Sequence, residues 1–124
     1  MDELLVERVL RLVEAIPAGF VVSYGDVAAA LGTGPRQVGR VMARWGSDVP
    51  WWRVTNAAGE LSGGLLAEAR EHWQAEGIEL GGTGRGCRIG RCRWQPDELA
   101  AAARRVDTEL AGARISSPAA PPEC

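Results

Sequence analysis

Apolar residues near the start of the chain recur at the spacing of an amphipathic helix. The stripe over residues 2–16 consists of Leu5, Val9, Leu12, Val13 and Ile16. Charged residues occupy the other positions, so the pattern predicts a helix with one buried face. Pro17 and Gly19 follow at once and indicate where this helix ends.

Two further helices are predicted on either side of a short turn. Residues 20–22 indicate an extended segment, after which Ser23 and Asp26 have the spacing of a helix capping box. Gly32 favours the end of that second helix, and Pro35 favours the start of a third. A helix, a glycine-containing turn and a second helix are typical of the helix-turn-helix motif.

The third predicted helix separates its apolar and basic residues. Its packing face consists of Val38, Val41, Met42 and Trp45. A second face carries Arg36, Arg40 and Arg44, with Gln37 beside them. Residues 35–47 contain no acid, which favours contact with nucleic acid, although a merely solvated surface is the alternative. Gly39 in mid-helix permits close approach of a backbone, either of the second helix or of DNA.

Two adjacent tryptophans follow in the stretch Pro50-Trp51-Trp52-Arg53-Val54. Neighbouring side chains point in different directions in a helix or a strand, so at least one indole is expected to face a pocket, a groove or a partner. The alternative is one core tryptophan and one partly buried surface anchor.

The rest of the chain predicts smaller elements. Residues 54–56 indicate an extended segment, residues 61–65 a glycine-containing loop, and residues 66–76 a helix. A glycine- and arginine-rich stretch precedes a final helix over residues 97–114, with Asp97 as its cap.

The charge balance qualifies the nucleic-acid hypothesis. The net charge is −2, but residues 36–94 hold nine arginines against six acids, so the middle of the chain is expected to present a basic face. No export signal or membrane-spanning run is visible, which predicts a cytoplasmic protein with reduced thiols. The spacing of Cys87 and Cys92 and the single His72 do not indicate a zinc site, and neither a metal nor a cofactor is expected.

Four segments together resemble the DNA-binding domain of the O6-alkylguanine-DNA alkyltransferases. They are residues 22–28 (VSYGDVA), 36–42 (RQVGRVM), 50–54 (PWWRV) and 62–65 (SGGL). Repair-active members carry Pro-Cys-His-Arg-Val, where the cysteine accepts the alkyl group and the histidine activates it. Trp51 stands at the cysteine position here, which is the pattern of the non-enzymatic alkyltransferase-like proteins. Trp52 stands at the histidine position and departs from both groups.

The resemblance implies a set of site residues. A lesion pocket would be lined by Tyr24, Met42, Trp51, Trp52, Val54 and Ser62, with Ser62 near the O6 atom. DNA would be contacted by Tyr24, Arg36, Gln37, Gly39, Arg40, Ala43 and Arg44. Tyr24 would help to rotate the nucleotide, Arg36 would enter the base stack in its place, and Arg53 would brace the loop. Gly63 and Gly64 stand where some alkyltransferase-like proteins have a basic residue.

The predicted fold is mainly α: a winged helix-turn-helix-like domain over residues 1–94, a helical extension over 95–115 and a disordered tail over 116–124. The resemblance implies a monomer that binds O6-alkylguanine in double-stranded DNA, flips the nucleotide and signals to nucleotide excision repair proteins. Indole is not a nucleophile at neutral pH, so no enzyme activity is expected. The alternatives are a transcription regulator without lesion specificity and, less favoured, an alkyltransferase using Cys87 or Cys92.

Overall fold

The first helix forms where the apolar stripe predicts it. Helix α1 spans Glu3–Ala15 in the computed structural model, which describes residues 2–61 and 63–115. Asp2 caps this helix, because its carboxylate accepts a hydrogen bond of 3.0 Å from the backbone N–H of Leu4. Val9, Leu12 and Val13 are fully buried.

Helices α2 (Tyr24–Leu31) and α3 (Pro35–Trp45) flank the predicted turn and pack against each other. The capping box at the start of α2 is present, with bonds of 3.0 Å in both directions between Ser23 and Asp26. Gly32 adopts the left-handed conformation, φ +73°, that ends α2. The predicted order of a helix, a short turn and a second helix is therefore present in the backbone.

A two-stranded parallel sheet joins distant parts of the chain. Strand β1 (Val22–Ser23) pairs with β2 (Val54–Thr55), with Val22 opposite Val54. The sheet anchors the Pro-Trp-Trp-Arg turn beside the start of α2, because β1 leads directly into that helix and β2 directly follows the turn.

The second half of the chain adds three helices. Helix α4 spans Leu66–Ala75, the short α5 spans Ile89–Cys92, and α6 spans Pro96–Ile115. The sequence pattern did not predict α5. Helix α6 begins one residue earlier than predicted, and the Asp97 carboxylate accepts a hydrogen bond from the neighbouring Glu98 N–H instead of standing before the helix.

Helix α6 packs against α1 and α2 and buries Leu99, Ala102 and Ala103 in their shared core. An ion pair of 2.8 Å between Arg8 and Asp107 adds a tie on the surface.

The described residues contain two hydrophobic clusters. The first lies among α1, α2, α3 and α6. The second lies beneath α4, with the fully buried Trp73 at its centre and Trp51 and Trp52 against its side. Trp45 was expected on the packing face of α3, but it is 38% exposed. It is the last residue of α3, and the Arg44 guanidinium lies 5.1 Å from the centre of its ring.

The fold is mainly helical with short extended segments, as predicted. None of the helices in the described part of the chain has the length and apolar character needed to cross a membrane. The described residues also contain no group of three potential metal ligands. The predicted tail over residues 116–124 and the predicted pocket residue Ser62 lie outside the described residues.

Candidate nucleic-acid interface

An open cavity of about 550 Å³ lies between α3 and the first turn of α4. Five residues of the predicted site line it: Tyr24, Gly39, Met42, Ala43 and Trp51. Burial raises the pKa of Tyr24, so its phenol stays protonated at neutral pH and can donate a hydrogen bond. The lining thus combines apolar surface with a neutral donor.

Trp51 is held in the cavity wall by a short 3-10 turn, Trp51–Arg53. The backbone N–H of Trp51 donates to the carbonyl of Val49 at 2.7 Å, and that of Arg53 donates to Pro50 at 3.1 Å. The Trp51 ring stands nearly perpendicular to the neighbouring Trp52 ring, with the ring centres 5.6 Å apart. Edge-to-face contact of this kind restricts the indole to one orientation.

Trp52 points away from the cavity, contrary to the prediction that it lines the pocket. Its ring stacks on His72 with centres 3.6 Å apart and planes inclined by 4°. Its indole N–H donates to Glu76 at 2.8 Å, and its carbonyl accepts a bond of 2.7 Å from the indole of Trp73. The Trp52 side chain therefore packs against the second hydrophobic cluster and not into the cavity.

The carboxylate of Glu76 is the common partner of the turn. It accepts hydrogen bonds from the Arg53 guanidinium (closest approach 2.6 Å), from the Trp52 indole, and from the backbone N–H of Gly19 at 3.0 Å. Burial alone would raise the pKa of Glu76, but the bonds from Arg53, Gly19 and Trp52 outweigh burial and lower it. Arg53 also donates to the carbonyl of Ile16 at 2.9 Å. This placement agrees with the expectation that Arg53 braces the loop.

The basic face of α3 is exposed to solvent. Arg36, Arg40 and Arg44 are all exposed, and none of the three has a carboxylate within salt-bridge distance in residues 2–61 and 63–113. Gln37 is also exposed, but its side-chain oxygen accepts a bond of 2.9 Å from the Gly34 N–H at the start of the helix. Three exposed cations on one helix, with no described carboxylate beside them, suit contact with phosphates.

Helix α3 has free space beside it at Gly39. A methyl group placed on Gly39 would meet no described atom of the protein within 4 Å. The sequence left open whether the second helix or DNA approaches Gly39 closely, and this open space rules out the second helix. The space beside Gly39 belongs to the cavity and to solvent.

Val54 is also not in the cavity wall, although it was expected there. It is fully buried in strand β2, within the first hydrophobic cluster. The other residue of β2, Thr55, is also fully buried, so both faces of this strand are covered and Val54 packs in the core.

Five lining residues were not predicted: Gly46, Ser47, Leu61, Leu65 and Glu68. The glycine-containing loop at residues 61–65 was the available signal for Leu61 and Leu65. The sequence did not indicate that Glu68 lines the cavity or that Glu76 binds the turn, because acids on helix surfaces are common in any soluble protein.

No thiol is found among the described residues that line the cavity. Cys87 is 3% exposed and belongs to the second hydrophobic cluster, and Cys92 packs against the same cluster. The neighbouring Cys92 thiol, together with burial, raises the pKa of Cys87, whereas the Cys87 thiol lowers the pKa of Cys92. Neither thiol lines the cavity.

Comparison with known protein families gives one extended match. The model of the DNA-binding domain of 6-O-methylguanine DNA methyltransferase matches residues 5–78. This range includes most of α1, all of α2 to α4, the parallel sheet and the described residues of the cavity wall.

Individual relatives agree with the family match. The chain is 43% identical over 94 residues to a DNA base-flipping protein of Escherichia coli (strain K12), covering 71% of this chain and 72% of that protein. It is 34% identical over 102 residues to a DNA base-flipping protein of Vibrio parahaemolyticus, covering 77% of this chain and 100% of that one. The crystal structure of S. pombe Atl1 with damaged DNA containing O6-carboxymethylguanine superposes with a TM-score of 0.67 at 28% identity, over 77% of this chain and 99% of that chain.

Proposed function

The chain belongs to the family of the 6-O-methylguanine DNA methyltransferase DNA-binding domain, and we propose that it recognises O6-alkylguanine in double-stranded DNA without transferring the alkyl group. The observation that carries this proposal is the position of the cavity of about 550 Å³ beside the exposed arginines of α3, Arg36, Arg40 and Arg44. A helix that neutralises phosphates would bring a rotated nucleotide to the cavity mouth. The volume lies within the usual range of about 300–1,000 Å³ for small-molecule pockets.

Names of relatives support the base-flipping step. Proteins called DNA base-flipping proteins share 34–43% of their aligned residues with this chain. Rotating a nucleotide out of the duplex costs a few kcal/mol of stacking and pairing, and it costs least for a damaged base. Selectivity for a lesion therefore needs no chemical step.

Three side chains carry the proposed recognition. Trp51 supplies an indole face or edge against the rotated base, and stacking of this kind is worth about 1–3 kcal/mol per base. Tyr24 donates its phenol hydrogen to the DNA backbone or the base at the cavity wall. Arg36 stands at the exposed start of α3, where it can enter the stack that the nucleotide leaves.

Alkyl transfer is excluded from the proposal on chemical grounds. The reaction needs a thiolate beside the alkyl carbon, with a base or cation to favour the ionised thiol. Trp51 stands at the acceptor position of the family motif, and Cys87 and Cys92 lie outside the cavity wall. A protein that recognises a lesion without removing it must leave removal to another. We therefore include signalling to nucleotide excision repair proteins in the proposal.

A binding comparison tests the proposal. Affinity is measured by fluorescence anisotropy at fixed salt for one duplex with guanine and for the same duplex with a single O6-methylguanine. Tighter binding of the alkylated duplex, with no mass increase of the protein, is expected. Equal affinities for the guanine duplex and for duplexes with several different O6-alkyl groups would refute lesion recognition, and strong preference for one undamaged sequence would favour a transcription regulator. Stimulation of incision by purified excision-repair proteins tests the signalling step separately.

A further inference from the structure

The cavity wall contains one charged group among its described residues, the carboxylate of Glu68. The remaining described lining is neutral, and its larger side chains are Tyr24, Met42, Trp51, Leu61 and Leu65. No arginine or histidine of the described chain lines the cavity. The arginines of α3 are not among its lining residues.

Glu68 is free to act on a ligand. It lies in the first turn of α4 and is exposed. Within residues 2–61 and 63–113 no side chain forms an ion pair or hydrogen bond with its carboxylate. Its neighbour Glu71 on the same helix is also exposed but does not line the cavity.

We propose that Glu68 determines which alkyl groups the cavity accepts, so that neutral O6-alkylguanines bind and anionic ones are disfavoured. The inference rests on the proposed function, since it concerns the group that a rotated guanine carries into this cavity. An anionic substituent would lose water against Met42, Leu61 and Leu65 without gaining a described cation. It would also lie near a second negative charge, and the DNA covering the cavity would reduce the screening by solvent.

The expected size follows from the exposure of Glu68. A partly exposed charge pair changes affinity by about fivefold, or about 1 kcal/mol. The effect of Glu68 should therefore be measurable but smaller than that of Trp51, and it should fall as salt increases.

The experiment compares two lesions of nearly equal size. One duplex carries O6-carboxymethylguanine, which is anionic, and the other carries O6-carbamoylmethylguanine, its neutral amide counterpart; a guanine duplex is the reference. The wild-type protein should bind the amide lesion at least about fivefold more tightly than the carboxylate lesion. Glu68→Gln should reduce this ratio about threefold or more, whereas Glu71→Gln, the matched control on α4, should leave it unchanged.

Four outcomes overturn the inference. Equal wild-type affinity for the two lesions, or a ratio that Glu68→Gln does not change, refutes the role of Glu68 while lesion recognition stands. A ratio that Glu71→Gln changes as much as Glu68→Gln shows a general charge effect of α4. Failure of the wild-type protein to distinguish the amide lesion from guanine refutes the proposed function itself and this inference with it. Thermal unfolding of both variants verifies that each is folded.

Discussion

Replacing Gly39 with alanine should raise stability and lower DNA affinity at the same time. Glycine in the interior of a helix is less favourable than alanine by about 0.8–1.0 kcal/mol. The added methyl group meets no described protein atom within 4 Å, so nothing in the described fold opposes that gain. For a chain of 124 residues the corresponding rise in melting temperature is about 3–5 °C.

The same methyl group would stand in the cavity wall and on the side of α3 that we assign to DNA. If α3 approaches the nucleic acid closely, the methyl group separates the two surfaces. We expect the affinity for a duplex with O6-methylguanine to fall at least about tenfold, or about 1.4 kcal/mol. Because the variant is more stable than the wild type, unfolding cannot explain the loss.

Gly112 provides the matched control. It lies in α6, and a methyl group there also meets no described atom within 4 Å. Gly112→Ala should stabilise by a smaller amount, because it lies in the last turn of its helix, and should leave DNA binding unchanged. Thermal unfolding and anisotropy titrations are done on both variants. Unchanged lesion affinity in a stabilised Gly39→Ala protein would refute the assignment of this face to DNA, and a destabilised protein would refute the open space beside Gly39.

Three further predictions concern the site. Arg36→Ala should weaken lesion binding and reduce the nucleotide flipping that a fluorescent base analogue reports. Arg44→Ala should weaken binding to all duplexes and lower the slope of log affinity against log salt concentration by about one unit. Equal losses of affinity on damaged and undamaged DNA in both variants would contradict these roles. Glu76→Gln should lower the free energy of unfolding at pH 7 by about 3 kcal/mol, because Arg53 loses its partner. Because the pKa of Glu76 is lowered in the fold, the stabilisation by its carboxylate is present above the pKa of about 4.3 of an unfolded glutamate and is lost as the pH falls further. Urea unfolding should therefore show that the stabilities of the variant and the wild type converge in acid. A difference in stability that stays constant with pH would contradict this. Trp51→Cys alone should not accept alkyl groups from DNA, whereas Trp51→Cys with Trp52→His should do so slowly, as a mass increase at the new cysteine; efficient transfer by the single variant would show that another residue activates the thiol.

Local patterns in the sequence predicted the helices that carry the proposed interface. The apolar period gave α1, the Ser23 and Asp26 spacing gave the start of α2, and Pro35 gave the start of α3. These signals work because each depends on residues within one or two turns of the chain. The segments resembling the alkyltransferases gave the fold class for the same reason, since they follow α2, α3 and the turn after them.

Contacts between distant residues could not be predicted in this way. Glu76 meets Arg53 across 23 positions and Gly19 across 57, and its own surroundings in the sequence are those of an ordinary helix end. Val54 was assigned to the pocket from its place in the motif, but it lies in β2, which pairs with β1, and is fully buried in the core. The packing of α6 on α1 likewise joins opposite ends of the chain.

Local geometry and contacts with distant residues together determine the positions of the adjacent tryptophans, Trp51 and Trp52. A 3-10 turn separates successive side chains by about 120°, so Trp51 and Trp52 must serve different surroundings once the turn forms. Trp51 faces the cavity, and Trp52 gives its N–H to Glu76 at 2.8 Å. A histidine at position 52 also has a ring N–H for that carboxylate, but in addition it has a lone pair that can take a proton. Tryptophan at this position therefore supplies the bond that holds the turn but no lone pair to act as a base. Under the proposed function, the two tryptophans would keep the scaffold that presents a base to the cavity without the acceptor and base that alkyl transfer needs.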